Sequence, residues 1–104
     1  MRDLKYIVTG QKIEQKQDCD FEHIVRGTNN YLRLMFWFDT AWNGTTKAIE
    51  VSNISGTKII EPLVNGSFVL PSQVTGDSII KVKLYGMNKK GDQIVTDTMI
   101  INQS

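Results

Sequence analysis

The sequence predicts an all-β fold, a single antiparallel β-sandwich of about seven strands that covers residues 1–104. Three observations support this prediction. The apolar segments are short and rich in β-branched and aromatic residues, and several of them alternate with polar residues at a period of two. Glycine, asparagine and aspartate separate these segments at intervals of about 8–12 residues, as turns do. No long segment repeats its apolar residues at helical spacing.

The first half of the chain contains three predicted strands. They cover residues 4–9, 21–25 and 31–38, and the pattern is weakest in the second and clearest in the third. One face of the third strand is wholly apolar and is expected to face the core: Leu32, Leu34, Phe36 and Phe38. Its other face is expected to point outward: Tyr31, Arg33, Met35 and Trp37. Residues 39–44 then form a predicted loop that closes on an Asn-Gly turn.

The second half of the chain contains the remaining predicted strands. Three of them cover residues 46–52, 58–63 and 67–70, and an Asn-Gly pair separates the second from the third. The next strand follows Gly76-Asp77 and alternates apolar with polar or aromatic residues: Ile80, Val82 and Leu84 against Lys81, Lys83 and Tyr85. A polar turn at 88–91 leads to a last strand at 94–101, which is expected to pair with it as a hairpin.

This number and spacing of strands is typical of an immunoglobulin-like sandwich, with a small barrel as the alternative. Cys19 is the only cysteine, so the cysteine pair and tryptophan that form the core of antibody domains are missing. The prediction of an immunoglobulin-like fold therefore concerns architecture and not ancestry.

Composition excludes several functional classes. The chain has 12 basic and 11 acidic residues and a net charge of +1, so it lacks the charge excess that is typical of proteins that bind nucleic acid. Charged residues interrupt the N-terminus, which therefore does not resemble a signal peptide. The longest apolar run, residues 34–38, is far shorter than the ~20 residues of a membrane span. We expect a cytoplasmic chain without a membrane segment.

The residues that carry catalytic chemistry are few. His23 is the only histidine, and it stands four positions after Cys19, a spacing that would place both on one face of a helix. Two such ligands do not complete a zinc site, and the nearby carboxylates lie in one polar segment: Asp18, Asp20 and Glu22. No glycine-rich phosphate-binding loop occurs. The sequence predicts no enzyme, no metal site and no cofactor.

Two surfaces are candidates for binding. The first combines the outward residues of the third strand with a tryptophan of the following loop: Tyr31, Arg33, Met35, Trp37 and Trp42. The second is basic and aromatic: Lys81, Lys83, Tyr85, Lys89 and Lys90. Burial beneath the N-terminal segment is the alternative for the first surface. For the second, the alternative is a solvated strand face whose lysines prevent edge-to-edge aggregation.

Three blocks of sequence carry a family resemblance. They are Tyr6–Ile13, then Tyr31-Leu32 with Phe36–Asp39, Trp42–Gly44 and Lys47-Ala48, and finally Val69–Val74 with Ile80–Gly86 and Ile94–Thr98. These blocks resemble small proteins encoded by tailed bacteriophages and prophages. The third is similar to immunoglobulin-like modules of capsid fibres, decoration proteins and baseplate or tail accessory proteins. Its motifs are structural, namely an apolar-Pro start, a strand ending in Gly and a Thr-x-Thr strand, so the resemblance carries no catalytic residue.

The resemblance implies a non-enzymatic module that docks on a virion, synthesised in the host cytoplasm and then carried on the particle. The outward aromatic residues make the first surface the expected contact. An intracellular anti-defence protein is the alternative, which would bind a host defence protein or a nucleotide messenger. A nucleotide would stack on Tyr85 beside Lys81 and Lys83, or on Trp37 beside Arg33. Sugar binding on Trp37 and Trp42 is a third possibility. The expected partner is a phage or host protein, or a second copy of the chain.

Overall fold

The computed structural model describes residues 1–104 as a mostly β protein with two sheets. Its nine strands are β1 Arg2–Thr9, β2 Lys12–Gln15, β3 Leu32–Phe38, β4 Thr46–Asn53, β5 Lys58–Pro62, β6 Ser67–Val69, β7 Ile79–Met87, β8 Gln93–Val95 and β9 Met99–Asn102. A 3₁₀ turn, Thr40–Trp42, follows β3, and a four-residue helix α1, Ser72–Thr75, follows β6. No helix combines the length and the apolar character that crossing a membrane requires.

Sheet A has the strand order β2-β1-β3-β6. Sheet B has the order β5-β4-β7, and both β8 and β9 pair with the far edge of β7. Six of the seven pairings are antiparallel, but β1 and β3 are parallel, which corrects the expectation of a wholly antiparallel fold. The reason is that the β1–β2 hairpin occupies one side of β1, and residues 16–31 then carry the chain across to enter β3 in the direction of β1.

A single cluster of 16 buried apolar side chains joins the two sheets. The alternation expected for β3 and β7 is confirmed, because the even-numbered side chains of both strands face this cluster. The main contributors are Leu4, Tyr6 and Val8 of β1, Leu32, Leu34 and Phe36 of β3, Ile49 and Val51 of β4, and Ile80, Val82 and Leu84 of β7. Phe38, at the end of β3, is only half-buried and packs against the cluster.

Two strand predictions need correction. Residues 21–25 form no strand, and lie in the loop between β2 and β3, which the Arg2 guanidinium holds by donating to the carbonyls of Asp20, Glu22 and His23. The last strand is divided into β8 and β9. Between them the Thr96 hydroxyl accepts a hydrogen bond from the Leu84 backbone N–H at 3.0 Å, which interrupts the regular ladder beside β7. Strand β2 was not predicted from the sequence.

The turn between β5 and β6 carries the chain from sheet B to sheet A. Asn65 and Gly66 both have positive φ, 51° and 71°, as expected for the tight turn that an Asn-Gly pair favours. The strands on either side do not continue as a hairpin, since only Val64 and Ser67 form a bridge. Strand β5 becomes an edge of sheet B and β6 an edge of sheet A, so the two edges face each other across the border of the core.

Candidate interaction surface

The outer face of sheet A carries an apolar patch. The parallel register places Ile7 of β1 beside Trp37 of β3, and the alternation of β3 places Met35 and the preceding Tyr31 on the same face. Trp37 is 43% exposed, Tyr31 is 47% exposed and Ile7 is 43% exposed, while Met35 is half-buried. We call these four residues the β1–β3 patch. Three of its members were predicted from the sequence, and Ile7 was missed because the β1–β3 pairing was not predicted.

Charged groups lie within and around the β1–β3 patch. Arg33 lies between Tyr31 and Met35 in the outward row of β3 and forms a bidentate ion pair with Asp3 of β1, with Nε–Oδ1 and Nη2–Oδ2 distances of 2.7 and 3.0 Å. Hydrogen bonding from this guanidinium lowers the pKa of the Asp3 carboxyl. The Lys16 ammonium lies 4.5 Å from the centre of the Trp37 ring, a cation–π contact, and neither Lys16 nor Lys5 is ion-paired. The continuous apolar part of the patch is therefore Ile7, Met35 and Trp37, and the Asp3–Arg33 pair separates it from Tyr31. The charges beside it have both signs, since Glu14 lies opposite Ile7 and is paired with Lys12, while Lys5 and Lys16 have no ion-pair partner.

Trp42 does not belong to this surface, which corrects the prediction. Its side chain is 1% exposed, because the 3₁₀ turn after β3 directs the indole into the core. The centres of the Trp42 and Phe38 rings are 4.9 Å apart, and the indole Nε1–H donates to the Gly10 carbonyl at 2.7 Å. Gly86 of β7 makes room for it, since a Cβ at that position would lie 2.8 Å from two ring carbons. Trp42 is a core residue that joins β7 to the β1–β2 turn.

The predicted basic and aromatic surface is divided into two places. Lys81, Lys83 and Tyr85 share the outer face of sheet B, as predicted. Lys89 and Lys90 lie in the turn after β7, and the part of the strand from Lys81 to its last residue, Met87, already spans about 20 Å at ~3.4 Å per residue. The structure does not bring these five side chains together.

A carboxylate also lies within the sheet B face. Glu50 of β4 is paired in register with Lys83, accepts a hydrogen bond from the Tyr85 hydroxyl at 3.1 Å, and lies 3.9 Å from the Lys58 ammonium. Burial and this hydrogen bond raise the pKa of Tyr85. Because the tyrosine hydroxyl is engaged by a carboxylate, this face supports the binding of an anion less well than its lysines alone suggest.

The sparse reactive residues serve local structure. The Cys19 thiol is half-buried and donates to the Asp3 carbonyl at 3.4 Å, and His23 is exposed in the loop that Arg2 holds. No group of three or more His, Cys, Asp or Glu side chains is arranged to hold a metal ion.

A groove that sequence reasoning missed lies between the edge strands β5 and β6. It has a volume of about 670 Å³, and its walls include Ile59 and Glu61 of β5 and Phe68 and Val69 of β6. One signal for it is present in the sequence. Adjacent isoleucines at 59 and 60 place apolar side chains on both faces of β5, which a strand with one solvated face does not require.

Comparison with known proteins identifies no relative. No family model, curated protein or solved structure matches this chain. The surfaces of the molecule are therefore the basis on which its function is proposed.

Proposed function

We propose that this chain is a non-enzymatic interaction module with an immunoglobulin-like β-sandwich fold, which docks on a phage virion as a capsid decoration, head-fibre or tail accessory protein. Two sheets over one core support the sandwich. The blocks that resemble phage modules support the virion as the docking site. The β1–β3 patch carries the proposal, because three large apolar side chains are at least 43% exposed on one face of a small protein.

The surroundings of the patch indicate the chemistry of its partner. Lys5 and Lys16 have no carboxylate within ion-pair distance, whereas Arg33 is satisfied by Asp3. A protein surface with an apolar centre bordered by carboxylates would cover the patch and pair with both lysines. Trp37 is the expected anchor, since tryptophan is enriched among the residues that dominate binding energy.

Purified particles provide the test. We expect the chain in virions from a culture that carries its gene, identified by mass spectrometry, and we expect purified chain to bind again to particles from which it has been removed. Trp37→Ala should weaken this binding about 30-fold, which corresponds to ~2 kcal/mol for loss of a central anchor.

The matched control is Ile100→Ala, which removes a side chain of similar exposure, 45%, from the outer face of sheet B. It should leave particle binding unchanged. If the chain is missing from particles, the virion proposal is wrong. If the chain is absent from particles but co-purifies with a host defence protein, and Trp37→Ala abolishes that co-purification, the anti-defence alternative is supported instead.

A further inference from the structure

We propose that the groove between β5 and β6 binds an extended segment of a partner protein, which adds to β5 as a new edge strand and carries an apolar-apolar-cationic triplet. This second binding site lies outside the β1–β3 patch and does not depend on the virion assignment. Three observations carry the proposal: free backbone groups along β5, a groove beside them with apolar side chains in its wall, and one unpaired carboxylate in that wall.

The backbone of β5 has a free side. Strand β5 pairs with β4 alone. Hydrogen bonds at both ends of the pair, Leu63 N–H to Lys47 O and Asn53 N–H to Thr57 O, each 3.0 Å long, fix which residues bond to β4. By antiparallel alternation, the backbone groups of Lys58, Ile60 and Pro62 then point away from β4, into the space where an added strand would lie. Lys58 and Ile60 offer both N–H and C=O groups, and Pro62 offers its C=O alone.

Beside this free side, the groove has a wall of mixed character, with apolar side chains among polar ones. Its wall combines Ile59 of β5 with Phe68, Val69 and Pro71 from the other side. On the opposite face of β5, Ile60 is 60% exposed. The groove volume, about 670 Å³, lies within the ≈ 300–1,000 Å³ of binding pockets. An added strand would cover apolar surface on both faces at once, in the groove and over Ile60.

Glu61 determines the charge of the occupant. It is the only charged residue among those lining the groove, it is exposed, and it forms no ion pair. Residues 59 and 61 face the groove while residue 60 faces outward. The matching segment therefore places one apolar side chain over Ile59, a second beside Ile60, and a lysine or arginine opposite Glu61.

The other edges of the sheets are less suited to accept a strand. The edge strand β2 presents the ion pair Lys12–Glu14, 3.2 Å apart, on its outer face. Strand β6 has three residues, and the N–H of its first residue, Ser67, already donates to Val64 O. The edge formed by β8 and β9 is interrupted at residues 96–98. These features are typical of edges protected from strand addition. Strand β5 also carries charges and a proline, Lys58, Glu61 and Pro62, but its centre, Ile59-Ile60, is apolar and uncharged.

A displayed library of random 12-residue peptides, selected on the full chain, tests the proposal. We expect enriched peptides to share two adjacent apolar residues next to a lysine or arginine. Affinity is then measured for one such synthetic peptide by fluorescence anisotropy. Glu61→Lys should weaken its binding at least about tenfold by placing like charges together, and Ile60→Pro should do so by removing an N–H that faces the added strand.

The control Glu22→Lys makes the same charge change at an exposed loop position outside the groove and should leave peptide affinity within about twofold. Circular dichroism verifies that each variant is folded. If Ile60→Pro does not fold, Glu61→Lys still tests the proposal, because it leaves the backbone of β5 unchanged. No enrichment, enrichment of acidic peptides, or unchanged binding by Glu61→Lys would overturn the proposal. Self-association of the chain in sedimentation equilibrium, abolished by Ile60→Lys, would overturn it in favour of a second copy. Trp37→Ala should not affect peptide binding. The peptide experiment therefore tests the groove independently of the particle-binding experiment, which tests the β1–β3 patch.

Discussion

At the scale of single residues, the side chain of Trp42 is closely packed. Its indole lies against Phe38, donates to the Gly10 carbonyl, and leaves no space for a side chain at position 86. The glycine at 86 is required by this contact and not by its backbone, since its φ is not in the positive range. Glycine at this position of β7 is therefore part of the binding site for the tryptophan ring.

We expect Gly86→Ala to lower the free energy of unfolding by about 1–3 kcal/mol, because the new Cβ would lie 2.8 Å from two carbons of a ring that is enclosed on its other sides. Urea denaturation followed by circular dichroism measures the change. Gly76→Ala is the control, since Gly76 has a φ of −77° and an added Cβ meets nothing within 4 Å. It should be neutral or raise the free energy of unfolding by up to about 1 kcal/mol. Equal destabilisation by both variants would contradict the packing described for Trp42.

At the scale of elements, the parallel pairing of β1 with β3 has an electrostatic signature. The register places Asp3 opposite Arg33, and their side chains form the bidentate pair on the outer face of sheet A. This ion pair lowers the pKa of Asp3 from its ordinary value of 3.8. The charged carboxylate therefore stabilises the folded state, and that stabilisation is present above the ordinary value and lost as pH falls through the lowered folded-state pKa.

We expect the free energy of unfolding to decrease as pH falls from about 5 to about 2, and Arg33→Met to make that decrease shallower. Some decrease remains in the variant, because hydrogen bonds from Ser55 also lower the pKa of Asp77. Chemical denaturation at a series of pH values measures both slopes. Lys89→Met, which removes an exposed cation at the β7–β8 turn, should reproduce the wild-type slope. A wild-type slope in Arg33→Met would mean that the Asp3–Arg33 pair does not form in solution.

The same scale shows which elements the sequence predicts well. Strands β3 and β7 alternate strictly, so their buried faces follow from periodicity alone. Residues 21–25 are apolar in part because Ile24 anchors a loop in the core, and an apolar pair in a loop is indistinguishable from a weak strand in sequence. Strand β2 has only four residues and a single half-buried side chain, Ile13, so its pattern is too short to detect.

The candidate binding surfaces depend on strand pairings and turns, which cannot be predicted from the period of apolar residues in the sequence. Trp37 lies in a strand and its orientation follows from parity, whereas the orientation of Trp42 depends on the 3₁₀ turn. Ile7 joins the β1–β3 patch through a parallel pairing across the loop at 16–31. The groove arises because β5 and β6, adjacent in the chain, become edges of different sheets. Each of these features is a relation between distant elements, which a single sequence does not specify.

At the scale of the whole molecule, Trp42 reports on the joining of the two sheets. Its partners belong to β3 and the β1–β2 turn of sheet A and to Gly86 in β7 of sheet B. The core cluster likewise contains side chains from both sheets. Neither sheet buries its inner face without the other, so we expect residues 1–104 to unfold as one cooperative unit.

The variant Trp37→Phe tests this expectation, because it removes the exposed tryptophan and leaves Trp42 as the only one. Its fluorescence should then report contact between the sheets, while far-ultraviolet circular dichroism reports the strands. We expect both signals to change at the same urea concentration, with a single slope, since loss of the shared core exposes both sheets together. The reciprocal variant Trp42→Phe should show emission typical of an exposed indole that acrylamide quenches readily. Separate midpoints for fluorescence and circular dichroism in Trp37→Phe would mean that the sheets unfold independently, and the single domain predicted from the sequence would then be wrong.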